Sequence, residues 1–147
     1  MMKNFKITVM ACCFTLLMQA QNKTILGVWW NQEKTSRIEV FEDSGKIFGK
    51  IVWLADNKNK DGSTPRTDYN NPKPELQKNK LIGTRILKNL TWNADDAEWN
   101  KGEIYDPKTG KTYSCYAVLQ KDGKLFIKGF VLGMTFIGKS TLWTRYH

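Results

Sequence analysis

From residue 25 onward, apolar and polar residues alternate with a period of two. In SRIEVFE (36–42), Ile38 and Val40 alternate with Arg37 and Glu39, the pattern of a strand with one buried face. Asp43-Ser44-Gly45 is a tight-turn signal and KIFGKIVWL (46–54) answers as the next strand, so a hairpin is expected. EWNKGEIYD ends a strand near Tyr105, and Asp106-Pro107-Lys108-Thr109-Gly110 supplies the next turn. There Pro fixes φ near about −65° and Gly accepts φ > 0. KTYSCYAVLQ then places Tyr113, Cys115, Ala117 and Leu119 on one face. Lys121-Asp122-Gly123-Lys124 turns again, LFIKGFVLG follows, and STLWTRYH closes the chain.

Strands are therefore expected near 26–31, 36–42, 46–54, 81–90, 98–105, 111–120, 124–132 and 139–146. Short strands joined by regular turns specify an all-β fold, a single antiparallel sandwich or barrel of about eight strands. A closed or nearly closed barrel is the expectation, because closure hides sheet edges and the in-strand glycines Gly49, Gly83 and Gly129 mark sharp bends. Residues 55–80, ADNKNKDGSTPRTDYNNPKPELQKNK, break the pattern. So long a connection without strand character is unusual in a compact domain and is usually functional or mobile. Asn71-Pro72 followed by Glu75 predicts a short helix over 72–79, with Asn71 as cap and Pro72 in the first turn. DNKNKDG within it lacks the spacing and terminal Glu of an EF-hand, so no metal is expected there.

The first twenty residues differ. MMKNFK is basic, ITVMACCFTLLM is apolar over about 12 residues and QA precedes Gln21, the layout of a secretory signal peptide. The run is shorter than the ~18 residues a membrane helix needs. The expected organisation is a leader over 1–20 and one β-barrel domain over 21–147, exported to the periplasm or beyond the cell, with no stable membrane span once the leader leaves. Cleavage removes Lys3, Lys6, Cys12 and Cys13, so formal charge falls from +9 to +7 and only Cys115 remains. A lone cysteine cannot form an internal disulfide, and Cys115 in an alternating strand reads as a small buried apolar residue. Export makes nucleic acid an improbable partner for the basic surface, and the lysines are scattered rather than clustered. Two N-x-T sequons occur, at Asn22 and Asn89.

Gly27-Val28-Trp29 near the start and Trp143-Thr144-Arg145 at the end resemble the paired ends of lipocalin-like barrels. In those, a G-x-W tryptophan packs across the closed end and an arginine from the last strand lies over its ring. Gly27, Trp29 and Arg145 are accordingly expected to close the barrel. Beyond this, GVWW, GKIFGKIVWL, NPKPELQKNKLIGTRIL, WNKGEIYDPKTGKTYSCYAVL, LFIKGFVLG and LWTR, in that order, resemble the DUF2147 family of small exported bacterial proteins. The most specific block runs from Trp99 to Tyr113. The resemblance implies a calycin-like barrel and an exported location, and no particular reaction. Lys73 and Gln77 stand where the family pattern has an acidic residue and an arginine.

Chemistry-bearing patterns are sparse. His147 is terminal, which removes a Ser-His-Asp relay, and there is no His/Cys cluster for zinc or haem and no Gly-rich phosphate loop. Catalytic residues, metal and cofactor are therefore all read as none. Asp95-Asp96 lies in a turn-like stretch where solvation is the default. The hairpin block offers more: Trp99, Tyr105 and Tyr113 with Asp106, Lys108 and Lys111 could line a barrel mouth, where ligand sites often lie. Candidate ligand contacts are Trp53, Trp99, Tyr105, Tyr113 and Lys128. Asn71, Pro72, Asp106 and Gly110 are read as turn residues. The preferred reading is a barrel that binds a small apolar or anionic amphipathic molecule. An envelope protein binding glycan or a protein partner, and a metal-independent enzyme using Tyr, Asp and Lys, are the alternatives.

Overall fold

The computed structural model describes Cys13, residues 15–131 and 134–147, and for 134–137 the backbone path. Residues 1–12 and Phe14, most of the expected leader, lie outside the described residues. Residues 15–22 are helical, and no helix among the described residues is long and apolar enough to cross a membrane. Eight antiparallel strands follow in chain order around a closed barrel: β1 (Gly27–Trp30), β2 (Ser36–Asp43), β3 (Lys46–Leu54), β4 (Arg85–Asn93), β5 (Glu98–Asp106), β6 (Lys111–Leu119), β7 (Leu125–Val131) and β8 (Met134–Arg145). The ring closes where β1 pairs with β8, Trp29 opposite Arg145 and Trp30 opposite Thr144. Every strand thus has two partners, which removes the exposed edges of an open sheet.

The alternation read in the sequence sets the core. Ile38, Val40, Ile47, Ile51, Leu87, Leu90, Cys115, Ala117, Leu125 and Ile127 are buried in one inward-facing cluster. Two strand starts differ from expectation by four residues or more. β4 starts at Arg85 rather than 81, because Leu81 and Gly83 are held by the excursion and by β3: the Leu81 N–H bonds Arg66 O and the Gly83 N–H bonds Ile51 O. β8 starts at Met134, five residues early, because its pairing with β7 runs to the hairpin tip. Gly49 pairs with Leu87 and Lys50 with Arg85, so Ile86 is an extra residue in β4, and the bulge leaves Ile86 and Leu87 buried side by side.

The expected helix over 72–79 is narrower, a single 3-10 turn at Pro74–Leu76. Asn71 does not cap it, and Pro74 rather than Pro72 holds its first position. The Asn71 side chain instead accepts from the Lys73 N–H (2.9 Å), which turns the chain before the helix can begin. The oxygens of the DNKNKDG stretch also serve the loop. Asp56 accepts from the Lys58 N–H, Asp61 from Ser63, and the Asn59 carbonyl from the Thr67 N–H and hydroxyl. These are local substitutes for a strand ladder.

One end of the barrel is sealed. The chain enters through a 3-10 turn at Lys23–Ile25 that lies over it. Trp29 is fully buried, and its indole N–H donates to Ile25 O (3.0 Å). Arg145 stacks over that indole, its Cζ 4.3 Å from the ring centroid. The same guanidinium donates to Leu26 O (2.8 Å) and Thr24 O. Gly27 is required here for two reasons: its φ is +124°, and a Cβ would stand 3.2 Å from the Arg145 guanidinium. Arg145→Ala removes the stacking and both charge-assisted bonds, an expected loss of about 2–3 kcal/mol. The melting temperature should fall by roughly 5–15 °C, with Arg145→Lys recovering only part, since ammonium cannot reach both carbonyls while covering the ring. Unchanged melting in both variants would remove the clamp from the account.

Candidate functional site

The turns joining β2–β3, β4–β5 and β6–β7 gather at the sealed end. Those joining β1–β2, β3–β4 and β5–β6 surround the other, which is open among the described residues. From this mouth a cavity of about 880 Å³ runs into the barrel. Its walls are apolar: Ile38, Ile51, Ile104, Ile127 and Trp143 from the strands, with Leu81 and Ile86 beside the excursion. Polar groups stand at the rim, among them Arg66, Lys108 and Lys139 with Glu33, Asp56 and Asp106. A few polar groups over an apolar interior of this size is the general form of a small-molecule pocket.

The five candidate contacts are dispersed by the fold. Tyr113 lines the cavity, opposite Ile104 across β5–β6. Trp99 is inside the barrel but at the sealed end, where it is 1% exposed and its indole N–H donates to Asn22 Oδ1 (2.9 Å). Asn22 is itself buried, 1% exposed. Lys128 lies on the outer wall, between the buried Ile127 and the inward-facing Gly129 and opposite Tyr116 of β6. Trp53 is outside as well. A bulge between Arg37 and Ile38 leaves Trp53 paired with Arg37, and the Arg37 Cζ lies 4.5 Å from the Trp53 ring, 4.7 Å from Trp30 and 4.1 Å from Tyr146. Three rings around one guanidinium form a second clamp that ties β1, β2 and β3 to the chain end. Neither Trp53 nor Lys128 lines the cavity.

Tyr105 borders both the cavity and a smaller outer groove of about 320 Å³ between the excursion and the wall of β4–β6. Its hydroxyl donates to Asp68 Oδ1 (2.7 Å), and Asn71 Nδ2 donates to Asp68 Oδ2 (2.8 Å). Asp68 is 3% exposed, so its carboxylate depends on these donors. Asn70 continues the docking by donating to Pro107 O (3.1 Å) and Lys108 O (3.0 Å). Asp106 and Gly110 shape the turn that is gripped: Asp106 accepts from the Lys108 N–H and the Thr109 hydroxyl, and the Gly110 N–H bonds Asp106 O. Pro72 lines the groove, and Gln77 donates to Asn71 O (2.9 Å). The excursion is therefore fastened to the β5–β6 hairpin, and the Trp99–Tyr113 block contains the surface that receives it.

Burial, and after it the bond to Asp68, pushes the Tyr105 hydroxyl pKa upward, which holds the phenol protonated as a donor. A folded-state pKa above the unfolded one gives stability that is complete below about pH 10 and is lost as pH rises past it. Tyr105→Phe is expected to cost about 1–3 kcal/mol at neutral pH and to flatten that alkaline loss. Urea midpoints at pH 7 and above pH 10 check both parts, and wild-type behaviour at pH 7 would show that the bond is idle. Burial likewise pushes the Cys115 thiol up to about 12, so it packs as an apolar residue. Asp95 and Asp96 are exposed in the β4–β5 turn, where Asn93 donates to Asp96 (2.9 Å). Among the described residues, no group of three His, Cys, Asp or Glu side chains could hold a metal ion.

The sequence reading missed Arg66, Ile104 and Trp143 as cavity residues. Ile104 and Trp143 could have been found from the alternation that puts Tyr113 inside. Arg66 had no such signal, because its place depends on how the excursion folds.

An up-and-down eight-stranded barrel, sealed at one end by a Gly-x-Trp and an arginine and hollow toward the other, is a lipocalin-like barrel. The chain belongs to the DUF2147 family, described as uncharacterised proteins conserved in bacteria, whose profile matches residues 27–145. A solved structure similar to it is protein HP1028 from the human pathogen Helicobacter pylori, described as belonging to the lipocalin family. The two share 25% identity with a TM-score of 0.69, over 84% of this chain and 83% of that one. No curated protein matches the sequence.

Proposed function

We propose that this protein is an exported barrel that holds a small apolar or amphipathic molecule in its interior. The observation that carries this reading is the cavity of about 880 Å³, apolar within and open at one end. Side chains fill the interior of many eight-stranded barrels, whereas here the large indoles of Trp29 and Trp99 are held at the sealed end and the cavity opens toward the other. The likeness to a protein described as a lipocalin supports the same class of activity. Export rests on the basic start and apolar run of residues 1–20. Cleavage after Ala20 would keep Asn22 and Ile25, which the sealed end needs.

Native mass spectrometry of protein gently extracted from its own host tests both parts. The expected spectrum starts at Gln21 and carries an additional mass of lipid size that is lost on denaturation. A bare chain after gentle extraction weighs against the carrier, and a mass retaining Met1 overturns the cleaved leader.

A further inference from the structure

We infer that Arg66 is the anchor for an oxyanion at the head of the bound molecule, so that the ligand class is a single-chain monocarboxylate with its tail toward Trp143. This rests on the cavity reading above and adds to it the chemistry of the head group. Arg66 comes from the excursion and lines the cavity near the mouth. Its backbone is fixed from both sides, the N–H by Asn57 and the carbonyl by the Leu81 N–H (2.9 Å). The side chain is therefore carried on a rigid base.

The guanidinium is underused where it stands. Its Nε is buried and has no hydrogen-bond partner, and Nη2 makes one long contact, 3.5 Å, to the Tyr69 hydroxyl. A buried donor without an acceptor is a cost that a bound acceptor would remove. The planar fork of Arg presents two parallel N–H groups, the geometry a carboxylate accepts from.

The charges at the rim are also unequal in what they have left to give. Asp106 is bonded to the turn it shapes, Asp56 to the Lys58 N–H and Glu33 to the Asn31 amide. The cations are in no ion pair: those among the described residues are Lys50–Glu39, Arg85–Asp43 and Lys124–Asp122, and none includes Arg66, Lys108 or Lys139. A negative head group meets three cations there that no carboxylate pairs, and the isoleucine-lined interior suits an alkyl tail. Lys108 and Lys139 stand at the outer rim as long-range attraction, whereas Arg66 offers the fork.

The test measures binding of dodecanoate, 1-dodecanol and dodecyltrimethylammonium to the purified chain by displacement of 1-anilinonaphthalene-8-sulfonate, below micellar concentrations. Dodecanoate is expected to bind at least about tenfold more tightly than the alcohol, with the cation weakest. In Arg66→Gln that preference should disappear while alcohol affinity stays within about twofold, which also shows that the cavity is intact. Arg66→Lys, keeping the charge without the fork, should retain an intermediate preference. Equal binding of acid and alcohol to the wild type, or a preference that survives Arg66→Gln, overturns the anchor and leaves the cavity reading standing. Failure of all three probes to bind the wild type overturns both.

Discussion

Trp29→Ala is expected to remove about 3–5 kcal/mol of stability, the cost of deleting a fully buried indole. The loss is not confined to one side chain. Ile25 O loses its donor, and Arg145 loses the ring it lies on. Arg145 and Trp29 are also direct partners in the pairing that closes the ring, so the seam between β1 and β8 weakens with them. Domains of this size have about 5–15 kcal/mol in total, so the variant would keep only a fraction of its stability. Trp29→Phe should recover most of the packing but not the bond to Ile25, leaving a deficit of about 1–2 kcal/mol. Equilibrium unfolding in urea measures both. A cost below about 1 kcal/mol for alanine would show that the end is sealed by something else.

Gly110→Ala is the second large effect, and it reads the excursion rather than the seal. Gly110 has φ +72°, where a Cβ costs roughly 1–2 kcal/mol. Moreover, that Cβ would stand 2.0 Å from Asn70 O, a backbone atom with no flexible side chain to move aside. The excursion must therefore lift from the hairpin, breaking the bonds of Asn70 to Pro107 and Lys108 and straining the Asp68–Tyr105 pair. The combined loss is expected to be about 2–4 kcal/mol. Trypsin cleavage after Lys60, Arg66 or Lys78 should rise about tenfold as the local opening becomes easier. Asn70→Ala removes one side of the same contact, so the double variant should cost less than the sum of the two singles. Strict additivity, or proteolysis unchanged from wild type, would separate the hairpin from the excursion. If the excursion carries the anchoring Arg66, Gly110→Ala should also weaken dodecanoate binding while sparing the alcohol.

The barrel was legible because period-two alternation is a local property. A residue such as Ile38 or Ile127 faces inward whichever strand lies beside it, so long as the sheet has one buried face. The sealing pair was also legible, since Gly27, Trp29 and Arg145 lie at the two chain ends that a ring has to join. The turn roles of Asp106 and Gly110 followed from residue chemistry, because those bonds span four residues or fewer. The facing of two tryptophans was not legible. Trp53 and Trp99 are candidate contacts in the sequence, but one is held outside by Arg37 and the other is bonded to Asn22 at the sealed end. A one-residue bulge between Arg37 and Ile38 lies beside Trp53, and no periodicity announces a bulge.

The sequence by itself determined that the chain forms strands and where most of them lie; it made closure the expectation, and the resemblance of its two ends to lipocalin-like barrels named the residues that meet at the seam. These depend on neighbours within a strand or on the topological need of a ring. Only the tertiary structure decided that a cavity of about 880 Å³ runs into the barrel and that Arg66 lines it. It also decided that Tyr105 and Asp68, distant in the chain, bind one another. Those outcomes depend on where a 26-residue excursion (55–80) comes to rest. Its position is set by contacts with a hairpin turn that begins 26 residues after the excursion ends, at Asp106. A hydrogen bond across such a gap leaves no periodic trace in either segment, because each partner taken alone is an ordinary polar residue in a turn.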